Sequence, residues 1–192
     1  IYPYNMILDQ NYYLDMHKRY NDRVPEDCVQ LLGPKYALLQ PEVLKLRKET
    51  KIRKLPIKKV MIFFGGSDNF NLTDIAINAL EEFLEELESI DIVLPSHNQN
   101  YESIKRRADL HEKINLYSDL PSLAPLMQKA DLAIGAGGTT NWERFCLGLP
   151  SLVILIADNQ KKTCVDLHDE KKIMLLGDAR NFGEDKLIKG LK

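Results

Sequence analysis

From Lys58 onward, short apolar runs alternate with amphipathic stretches in a regular beat, and no other feature restricts the fold as tightly. Strands separated by helical stretches do not turn back on themselves as hairpins. They pair in parallel, and a parallel sheet needs helices over both faces. Apolar runs at 59–64, 91–94, 113–117, 131–135, 151–156 and 172–176 supply the strands. Residues 71–87 form the clearest helix. Ile75, Leu80, Phe83, Leu84 and Leu87 share one face, Glu81, Glu82, Glu85 and Glu86 lie largely on the other, and Asn71 or Thr73 is available as a cap. The expected fold is α/β, a Rossmann-like parallel sheet of about six strands with helices on both faces.

The residues before Lys58 break this beat. Residues 6–9 and 28–32 read as strand ends, Gly33-Pro34 as a turn, and Pro41 as the first position of a helix running to about Glu49. The basic stretch from Lys45 to Lys59 reads as a crossover linker. The division expected is 1–40 as the end of a preceding domain, 41–57 as a helical, basic linker, and 58–192 as the repeating α/β unit. A chain that opens at Ile1 without a signal-like segment reads as part of a longer protein.

The chemistry is concentrated in Asp131-Leu-Ala-Ile-Gly-Ala-Gly-Gly-Thr-Thr-Asn-Trp-Glu143. An apolar strand stops at Gly135, Gly137 and Gly138 expose bare backbone, and a helix opens at Thr139 and Thr140. Such a turn lets an anion approach unpaired N–H groups, where a helix adds roughly half a positive charge. A phosphate or diphosphate fits. Glu143 would repel that anion if it pointed the same way, so it is expected to reach sideways to neutral hydroxyls such as those of a ribose. The alternative is a tight turn in which Glu143 completes a capping box with Thr140.

A second glycine turn, Gly65-Gly66-Ser67-Asp68, ends the first strand of the unit. Ligands of parallel sheets bind at the carboxyl edge where strand order reverses, between the first and fourth strands of the common order, so the two turns should face one cleft. The GxGxxG fingerprint is absent, which disfavours NAD. After the fifth strand come Asp158, Asn159 and Gln160. Asn159 and Gln160 both donate and accept, as recognition of sugar hydroxyl or acetamido groups requires, whereas Asp158 could equally be an ordinary helix cap.

Composition narrows the class. A net charge of −2, a pI near 6.1 and no basic stripe argue against nucleic acid. No apolar run reaches the ~20 residues of a membrane span. Cys28, Cys146 and Cys164 lack CxxC spacing, so neither a disulfide framework nor zinc is indicated and a reducing cytoplasm fits. GxSxG, HExxH and a Walker lysine are missing, and His17, His97, His111 and His168 lie in polar, surface-like stretches.

Together, Phe64-Gly-Gly-Ser-Asp68, Gly135-Ala-Gly-Gly-Thr-Thr-Asn-Trp-Glu143, Gly148-Leu-Pro150, Ala157-Asp-Asn-Gln160 and Leu31-Leu-Gly-Pro-Lys-Tyr-Ala-Leu-Leu39 resemble the PseG-type UDP-sugar hydrolases of pseudaminic acid biosynthesis and their spore-coat polysaccharide relatives. These are similar to the glycosyltransferase MurG and share its two-domain GT-B fold. The resemblance implies that 58–192 is a UDP-binding carboxyl-terminal domain. On that likeness the diphosphate lies on Gly66, Ser67, Gly137, Gly138, Thr139 and Thr140, the ribose on Glu143, and the sugar on Asn159 and Gln160. The uracil is expected near Tyr117, with Met127 as a second candidate. Neither metal nor cofactor is implied, since backbone amides can take the leaving-group charge; Asp68 is the one residue that could argue for a metal. The family's histidine base stands in an amino-terminal Gly-x-Gly-His loop. This chain lacks that motif, and His17 does not match it, so the chain is expected to bind UDP or a UDP-sugar without turning it over. Two other readings stay open: the donor domain of a transferase, and a nucleotide-sugar-binding domain without catalysis.

Overall fold

The computed structural model describes residues 3–192. Two short strands, β1 (Met6–Asp9) and β2 (Val29–Leu32), pair in parallel as a separate sheet. After α1 (Pro41–Arg47), which carries proline at its amino end, comes a six-stranded parallel sheet. Its strands are β3 (Lys59–Phe63), β4 (Ser89–Val93), β5 (Ile114–Tyr117), β6 (Leu132–Ala136), β7 (Ser151–Leu155) and β8 (Met174–Asp178), in the order β5-β4-β3-β6-β7-β8. The helices between and after them are α2 (Leu72–Glu81), α3 (Tyr101–Ala108), α4 (Ala124–Lys129), α5 (Thr140–Cys146), α6 (Lys161–Asp169) and α7 (Glu184–Leu191).

Both faces of the sheet are covered, which is why its central strands read as unbroken apolar runs. On β3, Val60 and Ile62 enter a core shared with Ala76 of α2, Ile104 of α3 and Leu187 of α7. Met61 turns the other way, toward Val43 of α1 and Met127 of α4. Trp142, Val153, Cys164 and Leu167 close a third cluster under α5 and α6. Among the described residues no helix is long and apolar enough to cross a membrane.

Three local readings are corrected. The helix expected over 71–87 is α-helical only to Glu81, and tighter turns continue to Leu87, with Phe83 N–H donating to the Leu80 carbonyl and Glu86 N–H to that of Phe83. Four glutamates crowd this end, where the helix dipole is already negative. Its cap is neither Asn71 nor Thr73. The carboxylate of Asp68 accepts from the N–H groups of both Leu72 and Thr73 at 2.9 Å. Finally, the last strand begins at Met174 rather than Lys172, and its register shifts opposite Val153 and Ile154, where Gly177 takes φ +141°.

The segment leading into the unit is fastened to it. Arg53 donates to the carbonyls of Met127 (2.7 Å), Ala130 (2.6 Å) and Leu147 (2.6 Å), closing the carboxyl ends of α4 and α5. Further upstream, Leu14 N–H donates to Asp166 of α6 at 3.0 Å.

Candidate functional site

Strand order reverses between β3 and β6, which pair with Phe63 opposite Gly135. The two glycine turns therefore leave adjacent strands at the same sheet edge. Gly135 keeps those strands close, because a Cβ there would lie 2.3 Å from the Phe63 carbonyl oxygen.

Within the second turn the glycines have different tasks. A Cβ on Gly137 would lie 2.2 Å from the Cys164 sulfur, so this glycine is demanded by packing. A Cβ on Gly138 would meet only the Gln160 amide nitrogen, at 3.8 Å, and the space over it is open. The N–H groups of Gly138, Thr139 and Thr140 find no protein acceptor among the described residues. Thr139 is exposed, and its side chain makes no cap bond to α5.

The capping box between Thr140 and Glu143 does not form. Glu143 is half-buried, and its carboxylate has no hydrogen-bond or ion-pair partner among the described residues. Burial pushes its pKa up, against the opposing pull of the neighbouring Arg144 cation. A carboxylate held this way accepts hydroxyl donors readily, because nothing in the protein competes for its lone pairs.

The first turn is built differently. Gly65 takes φ +95°, and a Cβ on Gly66 would meet nothing within 4 Å. The N–H groups of Gly66 and Ser67 have no protein acceptor among the described residues. The start of α2 behind them, however, is already satisfied by Asp68, which is 5% exposed and has both oxygens bonded to backbone. Asp68 is thus a buried cap. Asn98, from the segment after β4, donates to the Ser67 carbonyl at 2.6 Å and fixes the turn's far side. Sequence reasoning passed over Asn98 because no local pattern links it to a loop thirty-one residues earlier.

The remaining candidates divide. Gln160 comes to the glycine turn, where its side-chain oxygen accepts from Ile156 N–H at 3.2 Å, and Asn159 beside it is exposed. Asp158 caps no helix; it accepts from Arg180 at 2.7 Å. Tyr117 ends β5 half-buried, its pKa raised by burial and then by the Asp91 carboxylate. Met127 is 1% exposed inside the cluster with Met61 and Leu147, and presents no surface to a base. A groove of about 480 Å³ is lined by Tyr12, Met16, His17, Phe145 and Leu167 among others, and shares no residue with either glycine turn.

The family model of the glycosyltransferase family 28 C-terminal domain matches residues 60–192, the whole α/β unit. An uncharacterized protein of Methanocaldococcus jannaschii, MJ1062, is 33% identical over 70% of the chain and 28% of its own length. The spore coat polysaccharide biosynthesis protein SpsG of Bacillus subtilis is 26% identical over 81% of the chain and 46% of its own length. The UDP-2,4-diacetamido-2,4,6-trideoxy-β-L-altropyranose hydrolase of Campylobacter jejuni is 30% identical over 75% of the chain and 50% of its own length. The chain thus spans half or less of these relatives. Among solved structures, MurG of Acinetobacter baumannii superposes with a TM-score of 0.58 at 16% identity, covering 96% of the chain and 56% of MurG. UGT89C1 of Arabidopsis thaliana, solved in complex with UDP, gives 0.64 at 14% identity, covering 94% and 48%. The chain belongs to the glycosyltransferase family 28 C-terminal domain family, its sheet being the carboxyl-terminal Rossmann-like part of a GT-B architecture.

Proposed function

We propose that the chain is the UDP-sugar-binding part of a cytoplasmic hydrolase that releases UDP from a UDP-linked acetamido sugar, in the synthesis of a surface polysaccharide or nonulosonic acid. The observation that carries this reading is the half-buried, unpartnered carboxylate of Glu143 beside a turn whose N–H groups have no acceptor. A ligand with an anionic middle and vicinal hydroxyls on one flank satisfies both. The diphosphate lies on the backbone of Gly138, Thr139 and Thr140, with Gly66 and Ser67 across the cleft; the ribose reaches Glu143, and the sugar lies toward Gln160 and Asn159. The hydrolase among the relatives supports an acetamido sugar, and the UDP complex of the plant neighbour supports the nucleotide.

In this scheme the backbone N–H groups stabilise the charge that grows on the diphosphate as the anomeric carbon–oxygen bond breaks. Water must also be positioned and deprotonated, and the Gly-x-Gly-His loop that does this in the family is not present in the chain. The base is expected from the amino-terminal half of the longer protein.

Calorimetric titration with UDP, UMP, inorganic diphosphate and NAD tests the site. The expected result is saturable binding that prefers UDP, with Glu143→Ala weakening UDP more than diphosphate. Equal losses would make Glu143 a structural residue, and absence of any nucleotide binding would defeat the reading. The family's own description favours a second reading, transfer of the sugar to an acceptor. Full-length protein that frees sugar from its UDP-sugar without an acceptor excludes transfer as the main activity.

A further inference from the structure

A buried cation lies behind the second glycine turn with no carboxylate to pair with it. Arg144 is 3% exposed, and among the described residues it forms no ion pair. Its guanidinium donates through one nitrogen to the Ala136 carbonyl at 2.6 Å and to the side-chain oxygen of Asn141. Ala136 ends β6 and Asn141 stands in the first turn of α5, so one planar fork ties together the two ends of the segment from Gly137 to Thr140. Donors remain unspent, because Arg144 Nε and Asn141 Nδ2 are both buried without a partner. A second terminal nitrogen packs on the backbone of Gly135, where a Cβ would approach it to 3.1 Å.

An isolated buried charge is costly unless dipoles or an opposite charge answer it. Two oxygens supply part of that answer. Burial brings the guanidinium down to about 10, opposed only through space by Cys164 and by the carboxylate of Glu143. The fold thus holds a cation that it does not fully compensate, immediately behind backbone amides that lack acceptors.

We propose that Arg144 is a positioning residue for the anionic part of the ligand: its fork holds the glycine turn in shape, and its charge offsets the repulsion that Glu143 would exert on a diphosphate. This rests on the nucleotide reading above and deepens it. It also accounts for a carboxylate and a phosphate seat sharing one short helix. Glu143 faces the hydroxyls, Arg144 sits on the protein side, and the pair is neutral toward an approaching anion.

The test compares UDP with uridine, which shares the base and ribose and lacks the phosphates, on the 192-residue chain. A unit charge several ångströms from a diphosphate changes affinity by on the order of tenfold at the effective dielectric near a protein surface. Arg144→Met is therefore expected to weaken UDP about tenfold and uridine less than twofold, and Arg144→Lys to recover most of the UDP affinity while melting lower, since the fork is lost. Should Arg144→Met fail to fold, Asn141→Ala, which keeps the charge and frees one anchor, is expected to lower UDP affinity more than uridine affinity. Equal loss for the two ligands, or an unchanged ratio in every folded variant, overturns the inference while leaving the site intact. A wild-type chain that binds neither UDP nor uridine overturns the functional reading itself.

Discussion

The thiol of Cys164 fills the space that a side chain at position 137 would require, with only 2.2 Å between its sulfur and a Cβ built on Gly137. Gly137→Ala must displace a fully buried residue of α6 and is expected to cost about 1–3 kcal/mol by overpacking. Thermal denaturation should show Tm falling by roughly 3–10 °C. Adding Cys164→Ala should restore most of the loss; a double variant no more stable than the single one would reject the packing account. Gly138→Ala is expected to leave Tm within about 1 °C, since its Cβ enters open space, yet to weaken UDP binding several-fold by obstructing backbone approach.

Glu143 sets stability against binding. Its pKa is raised in the fold, so the folded state takes up a proton more readily than the unfolded chain. The contribution to stability is therefore full at pH below the ordinary glutamate value and is lost as pH rises through the raised one. Glu143→Gln removes the ionised form and is expected to increase Tm at neutral pH by roughly 1–3 °C, while weakening UDP. In the wild type, UDP affinity should fall as the pH drops through the Glu143 titration. An affinity flat from pH 7 down to the onset of acid unfolding would show that the ionised carboxylate does not hold the ribose.

Arg53 closes two helices at once. Arg53→Leu leaves the carbonyls of Met127, Ala130 and Leu147 without their donor, and denaturant unfolding should register a loss of about 2–4 kcal/mol. Affinity for UDP should stay within about twofold, because α5 separates this contact from the glycine turn by roughly 10 Å of helix. A comparable loss of binding would mean that the clamp sets the geometry of the site as well as its stability.

Asp68 caps α2 through both carboxylate oxygens. Asp68→Ala removes acceptors from two backbone N–H groups and should cost about 1–2 kcal/mol, read as a shift in the denaturation midpoint. Divalent cations are expected to leave the Tm of the wild type unchanged. A rise with magnesium that disappears in Asp68→Ala would assign this carboxylate to a metal instead.

The sheet was readable because each strand is buried on both faces and so carries its apolar residues without interruption, as in 59–63 and 151–155. The glycine turns announced themselves through residue types whose backbone freedom has few other uses. Less could be read where one side chain acts across the fold. Asp68 capping from four residues before Leu72 looks in sequence like one more polar loop residue, and Asn71 competes as the nearer candidate. Arg144 follows Glu143 in a short helix, and nothing in the local sequence sets it apart from a surface arginine. In the fold it turns inward, against Gly135 and onto the Ala136 carbonyl. Met127 is a candidate for the base on the family likeness alone, and the packing of α4 with Met61 and Leu147 buries it.

Of the two helix starts that meet at this edge, one has its donors taken by a side chain and the other does not, while Gly66 and Ser67 of the first turn also keep N–H groups without an acceptor among the described residues. The N–H groups of Leu72 and Thr73 that open α2 are occupied by the Asp68 carboxylate, whereas those of Gly138, Thr139 and Thr140 entering α5 find no acceptor among the described residues. The two helix starts are therefore electrically unequal. A molecule with one charged segment and two neutral ends can settle its charge near α5 and gains little by settling it near α2. By accepting from Leu72 and Thr73, the Asp68 carboxylate thereby biases which helix start can answer an anion.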